Sequence, residues 1–379
     1  MGRRENRRLL RHINQTGTEM KTIVRKIMPR VFQALVGMLG LVPMAMAELP
    51  AELRIAVISF TDASGKVVVS SSPITQRVID EGWLEAELAK RGVKLAWVPV
   101  PTGDTGATTN EAFAAHRIDF AGYGDLPSFV LNAGGIRTQV IVPSGPGGDS
   151  YLLVGPDSKD KTIQDLKGKR VSVHRGRPWE LGFLRLIDSQ HLSYSDFKLY
   201  NINPPAGAAA LSAGKVDALF TIGAYLLEEK GIGKIIWSTK DAPLDWKMRA
   251  ELWGAADFTE KYPELTQLVA NAYVKAAYWA AQDANREAVI KTGTLDGTPE
   301  SVIRKGYEDS NVSWKDRWTP LFDDVVYAHY RHSVEFATQK KLVGKKLDPD
   351  KLVEPKFVAI ALKELKLENY WIPRQLTKP

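Results

Sequence analysis

The sequence contains no cysteine, and six histidines in 379 residues are the whole imidazole supply. Disulfides, thiol nucleophiles and Cys-ligated metals are therefore excluded, and a large apolar core must hold the fold unaided. Long apolar runs are absent too. Val31 to Val42 is mostly apolar but well short of the ~20 residues that a membrane span needs. The chain has no G-x-G-x-x-G, P-loop, H-E-x-x-H or G-x-S-x-G pattern. Nothing places a nucleophile beside its base, and there are no repeats, heptads or low-complexity tracts.

Charge is unevenly distributed. The net +7 comes from 51 Lys+Arg against 44 Asp+Glu, and residues 1–47 hold nine of the former and two of the latter. The remainder has 42 of each, so the basicity that would suggest nucleic acid or a membrane surface is confined to the first segment. That segment has the parts of a cleavable secretory signal. Lys21, Arg25, Lys26 and Arg30 precede the apolar run, and Ala45-Met46-Ala47 supplies a small-x-small cleavage site. Met20 is a candidate true start. The pairs Arg3-Arg4 and Arg7-Arg8 suggest a twin-arginine signal, but no apolar core follows them directly. The expected product is a soluble exported protein, located in the periplasm, beginning at Glu48.

About 330 residues then remain, enough for two domains. Leu53 to Ser59 predicts the first strand, and Phe60 to Ser72 a polar loop. Pro73 opens a helix that Gly92 ends, and Val93 to Val98 is the next strand. Strands at Asp119 to Tyr123 and Val140 to Pro143 alternate with short helices, which implies a mainly parallel sheet covered on both faces. Ser144 to Ser150 (SGPGGDS) predicts a crossing into a second domain with strands at Tyr151 to Val154, Arg170 to His174, Phe197 to Ile202, Asp217 to Ile222 and Ile235 to Ser238. Residues Arg249 to Ala256 read as a strand returning to the first domain, and long amphipathic helices follow. The expected plan is a first lobe from 48–145 and 243–379, with a second lobe, 146–242, inserted between them. Two crossings join the lobes, with a cleft between them and a hinge beneath.

Ligands of open α/β sheets bind at the carboxyl ends of strands. Four loops fall there: Thr61 to Ser72, Tyr123-Gly124-Asp125, His174 to Trp179, and Gly223 to Tyr225. The third lies between a strand and a helix opened by Pro178, where free N–H groups and the helix dipole attract an anion. Arg175 and Arg177 add guanidinium forks, and Ser71 and Ser72 add hydroxyls that are equally suited to cap a helix. Trp179 and Tyr225 are candidates to flank a short apolar tail, and Asp125 to meet an amine. His329 and His332, three apart on a helix, could share a metal. No nearby acidic pair is expected on the same face, which favours a solvated or packing role.

Four segments in order, EGWLEAELAKRGV, IDFAGYGDLPSF, DLKGKRVSVHRG and ALSAGKVDALFTIGAY, make the chain resemble the periplasmic substrate-binding proteins of ABC importers for aliphatic sulfonates, taurine and nitrate. The likeness covers nearly all of the chain after residue 47. It implies an α/β, two-lobed periplasmic-binding-protein fold of type II with C-terminal helices on the first lobe. It also implies a small anionic solute, an inner-membrane ABC permease as partner, no catalysis, no cofactor and a monomer. The resemblance places the site at the loop after the first strand, Gly124-Asp125, His174-Arg175-Gly176 and Tyr225. With Trp179 from the residue reading, the expected ligand-binding set is Thr61, Ser71, Ser72, Gly124, Asp125, His174, Arg175, Gly176, Trp179 and Tyr225, and no metal is expected. The first loop, FTDASGKVVVSSSP, departs from the Gln- or Pro-containing turn of common members. Two alternatives carry over: an enzyme similar to the thiamine-pyrimidine synthases, which rely on a cysteine motif missing here, and a ligand-binding subunit of a sensor.

Overall fold

In the computed structural model, residues 48–61, 67–69, 72–100, 105–309 and 311–376 are described, with residues 60, 61 and 67 described by backbone alone. The expected signal segment, 1–47, lies outside them. Leu49–Pro379 forms one compact unit built on two sheets.

The first sheet comprises β1 (Glu52–Thr61), β2 (Val67–Val69), β3 (Lys94–Val100), β4 (Phe120–Gly124), β5 (Thr138–Val142) and, from the other side of the second sheet, the returning strand Ala250–Ala255. The second sheet comprises β6 (Tyr151–Val154), β7 (Arg170–Val173), β8 (Lys198–Tyr200), β9 (Ala218–Thr221) and β10 (Lys234–Ser238), so the returning strand is β11. Their orders are β2-β1-β4-β11-β5, with β3 also on β1, and β10-β6-β9-β7-β8. Both sheets are mixed rather than mainly parallel. β11 runs antiparallel between β4 and β5, and β6 runs antiparallel between β9 and β10. A strand that enters from the other sheet arrives at the edge where the connecting stretches leave and runs opposite to the βα-connected strands.

Central strands are apolar on both faces because both are covered. Leu53, Ile55, Ala56 and Val57 of β1 are all buried, as are Phe120 and Ala121 of β4. Helices Pro263–Ala281, Asp324–Gln339 and Lys356–Glu364 complete the first core. Trp253 of β11, fully buried, meets Tyr123 and Tyr330 edge-on at 6.1 and 5.8 Å.

Two further expectations need correction. β2 lies inside the expected first loop and pairs antiparallel with the end of β1. The helix expected to run from Pro73 to Gly92 is two, Pro73–Glu81 and Trp83–Ala89, divided by Gly82 at φ 65°. The two sheets also share a local unit, although the sequence shows no periodic repeat. Asp119, just before β4, accepts from Arg54 N (2.8 Å), Nε (3.1 Å) and Nη2 (2.6 Å) on β1. Asp217, just before β9, accepts from Arg170 N (2.8 Å), Nε (3.0 Å) and Nη2 (2.6 Å) on β7. In each case a positive-φ residue, His116 or Gly214, ends the preceding helix.

Two stretches join the sheets, residues 143–150 and 239–249. They bond to each other: Gly148 N donates to Met248 O at 2.8 Å and Met248 N to Gly148 O at 3.1 Å. Ser150 N donates to Thr239 Oγ1 at 2.9 Å and Thr239 N to Ser150 O at 3.0 Å. Glycine is required at 145, where φ is +57° and a Cβ would stand 2.0 Å from the Arg317 carbonyl oxygen.

Candidate functional site

Register brings the strand ends to one level. In the first sheet Gly124 pairs with Ala250, and Ile58 with Val100. In the second, Thr221 pairs with Tyr151, and Tyr151 with Ser238. The connecting stretches leave from these same ends, so the loops after β4, β7 and β9 face the junction of the two halves.

Contact across that junction is close. Gly124 abuts Pro178 so tightly that a Cβ on Gly124 would lie 2.0 Å from Pro178 Cγ. Its φ of −82° suits any residue, so the reason for glycine is space. Beside it Arg177, only 5% exposed, donates from Nη1 to Thr105 Oγ1 at 3.0 Å, and from Nε to His174 Nδ1 at 3.4 Å. Gly106 leaves room for that guanidinium. Leu181, on the second-half helix Pro178–Ser189, belongs to the first core.

The loop His174 to Arg177 is organised by Glu180, which the sequence analysis did not single out. This buried carboxylate, in the third position of the helix, accepts from Gly176 N, Arg175 Nε (3.3 Å) and Tyr194 OH (2.6 Å). Arg175 also lies over the Tyr194 ring at 5.1 Å. Burial pushes the Tyr194 phenol up, so it stays a donor to Glu180. The Gly176 N–H and the Arg175 Nε expected to receive an anion are thus engaged by the protein's own carboxylate. A Glu at the third helical position is a known reach-back signal and was readable in RPWE.

The other expected residues divide. Gly124, His174, Arg175, Gly176 and Trp179 come together at the junction, with the His174 and Trp179 rings 6.2 Å apart. Trp179 is mostly core, 9% exposed, with its indole Nε1 unpartnered. Tyr225 packs edge-on to Tyr151 at 5.3 Å, and burial pushes its phenol up to about 12. Lys305, from the helix Glu300–Glu308, sits over its other side at 5.0 Å. Ser72 caps the helix Pro73–Glu81, its Oγ accepting from Thr75 N at 3.2 Å. Ser72→Ala should cost about 1 kcal/mol of stability, read by urea denaturation, without changing any binding. Thr61 ends β1, and Ser71 lies outside the described residues.

Asp125 is not presented to a ligand at the junction. It is fully buried, with Oδ1 accepting from Leu126 N at 2.6 Å and Oδ2 2.7 Å from His329 Nε2. His332 Nδ1 lies 2.8 Å from Asp245 Oδ2. The two histidines thus have different acidic partners, and no group of three or more metal-binding side chains occurs among the described residues. An open depression of about 600 Å³, lined by Ser158 to Lys161, Lys234 and Ile236, lies wholly on the second half, away from the junction.

The model of the NMT1-like family matches residues 164–293, about a third of the chain. A Bacillus subtilis (strain 168) protein described as an aliphatic sulfonates-binding protein is 26% identical over 290 residues, covering 75% of this chain and 83% of that one. The alkanesulfonate-binding protein SsuA from Xanthomonas axonopodis pv. citri, bound to MOPS, superimposes with a TM-score of 0.65. It is 21% identical, over 81% of this chain and 99% of that one, and so shares the two-lobed fold. A Methylobacillus flagellatus KT structure, described as the periplasmic sulfonate-binding protein SsuA of a sulfonate ABC transporter, is 44% identical with a TM-score of 0.75. That match covers 85% of this chain and 97% of the other. The chain belongs to the family of periplasmic sulfonate-binding proteins of ABC transporters.

Proposed function

We propose that this protein captures a small oxyanion, such as an aliphatic sulfonate, between its two halves and delivers it to an ABC permease of the inner membrane. What carries the reading is the convergence of strand ends from two separate sheets on one junction, in a chain 44% identical to a protein described as sulfonate-binding. The lobes are 48–145 with 243–379, and 146–242, and the paired connecting stretches are the hinge. Export through the signal at 1–47 delivers a monomer to the periplasm, where the closed form presents both lobes to the permease. The reading is non-catalytic, and the chain lacks the thiol on which the cysteine-dependent enzymes of this fold rely.

The test is isothermal titration of the purified protein with ethanesulfonate, taurine, nitrate and sulfate. A saturable sulfonate heat supports the assignment, and no heat from any of the four sinks it. Arg175→Ala should change the sulfonate dissociation constant by less than about fivefold, since Arg175 is half-exposed and its pair with Glu180 is worth about 1 kcal/mol at most. Complete loss of binding in that variant would mean that the loop turns Arg175 from Glu180 onto the ligand.

A further inference from the structure

We propose that His329 is a positioning residue for the cleft: with Asp125 it holds one shared proton that fixes the first turn of the helix Asp125–Ala133, and so makes solute capture pH-dependent. The inference rests on the capture reading for its ligand arm only.

Donor and acceptor accounting leads to it. His329 is 1% exposed, and both ring nitrogens face oxygen. Nδ1 lies 2.9 Å from the carbonyl oxygen of Asp245, which can only accept, so Nδ1 carries a proton. Nε2 lies 2.7 Å from Asp125 Oδ2. An ionised carboxylate and a bare ring nitrogen would face each other there with lone pairs alone, which no structure sustains at that distance. One more proton than neutral imidazole plus carboxylate must occupy the contact. Ser333 Oγ, at 3.4 Å, is too far from Nε2 to replace it.

Charge balance points the same way. Arg185, on the helix Pro178–Ser189, is 5% exposed and donates to Asp245 O and to Ser333 Oγ at 2.9 Å. Asp245, on the second connecting stretch, is 8% exposed. The helix Asp324–Gln339 contributes His332, which reaches Asp245 from the solvent side, and Tyr330, whose OH faces Glu251 at 3.5 Å. Glu251 in turn pairs with Arg249. Arg185 therefore offsets one of the two buried carboxylates, Asp125 and Asp245, and the shared proton offsets the other.

The cluster touches the site directly. Asp125 follows Gly124, which abuts Pro178, and its carboxylate holds Leu126 N while its own N–H donates to Arg249 O at 3.1 Å. Burial pushes the His329 imidazolium down and so opposes the extra proton. The 2.7 Å contact, which has no other donor, outweighs it and holds the proton between the two groups. Above a pH of ~6.5 an unfolded histidine has lost its proton while the folded pair keeps one. The folded state then binds more protons, so stability falls as pH rises. Below that pH the unfolded histidine is protonated too, and this dependence vanishes.

The experiment uses the full chain, wild type and Asp125→Asn, with urea unfolding and ethanesulfonate titration from pH 6 to 9. The Asn amide donates to Nε2, its oxygen still accepts from Leu126 N, and no titrating proton is needed. The wild-type unfolding constant should rise, relative to Asp125→Asn, by up to about tenfold per pH unit above ~6.5. Wild-type affinity should weaken over the same range while the variant's holds. If Asp125→Asn does not fold, His329→Gln, whose amide donates without titrating, gives the same comparison. Parallel pH profiles in wild type and variant overturn the proposal. Failure of every anion to bind at any pH defeats the capture reading instead, and the unfolding arm still decides the proton.

Discussion

Gly124→Ala should weaken sulfonate binding by about ten- to a hundredfold while leaving the fold of each lobe intact. The added methyl would stand 2.0 Å from Pro178 Cγ and 2.9 Å from Cδ, and a proline ring cannot rotate away. Overfilling a packed site costs ~1–3 kcal/mol, and each ~1.4 kcal/mol is tenfold in affinity. The backbone at 124 tolerates alanine, so the cost falls on the approach of the lobes rather than on β4. In a two-state protein whose ligand binds the closed form, that cost appears directly as lost affinity. Titration calorimetry reads the affinity and small-angle scattering the dimension: the unliganded variant should be more extended than wild type. Wild-type affinity in Gly124→Ala would show that the bound form keeps these two surfaces further apart. Arg177 and Thr105 flank the same contact, so Thr105→Val should act in the same direction and more weakly, by one hydrogen bond.

Much of this architecture is legible in the sequence, for local reasons. Leu53 to Ser59 reads as a strand because five of its seven residues are apolar and three of those are β-branched, and Pro178 marks its helix because its ring suits the first turn. Arg249 to Ala256 reads as a returning strand, but its antiparallel direction depends on which edge the chain crosses back to. β2 is hidden because three valines in a polar loop carry little periodicity, and its partner is the end of β1. The site divides in the same way. Gly124, His174 and Gly176 are locatable because strand ends and turn residues are local signals. Glu180 lies five residues from Arg175 and was readable as a reach-back carboxylate. The partner of His329 was not readable, since Asp125 stands 204 residues away. A histidine judged by its own helix face shows no acid, and only the fold supplies one.

Glu251→Ala should cost about 3–5 kcal/mol, because it breaks a fully buried ion pair at the root of both connecting stretches. Arg249 and Glu251 side chains are 2% and 0% exposed. Glu251 accepts from Arg249 Nε and, through its second oxygen, from Ser144 N at the start of the first connection. Arg249, at the end of the second connection, donates from Nη2 to Gly145 O at 3.0 Å. One carboxylate and one guanidinium therefore tie the two connections where they leave the first sheet. Removing the carboxylate leaves a guanidinium without its counter-charge in the core and strips the Ser144 N–H of its partner. The expected readout is a fall in the urea midpoint with an unchanged slope. Arg249→Met with Glu251→Leu should recover most of the loss, since an apolar pair of similar volume restores packing and leaves no charge buried. If the double substitution is no better than Glu251→Ala, the cost lies in Ser144 and Gly145 losing their anchors. The pair would then be there to fix the course of the two connections, and ligand affinity should fall in the double variant even where its stability returns.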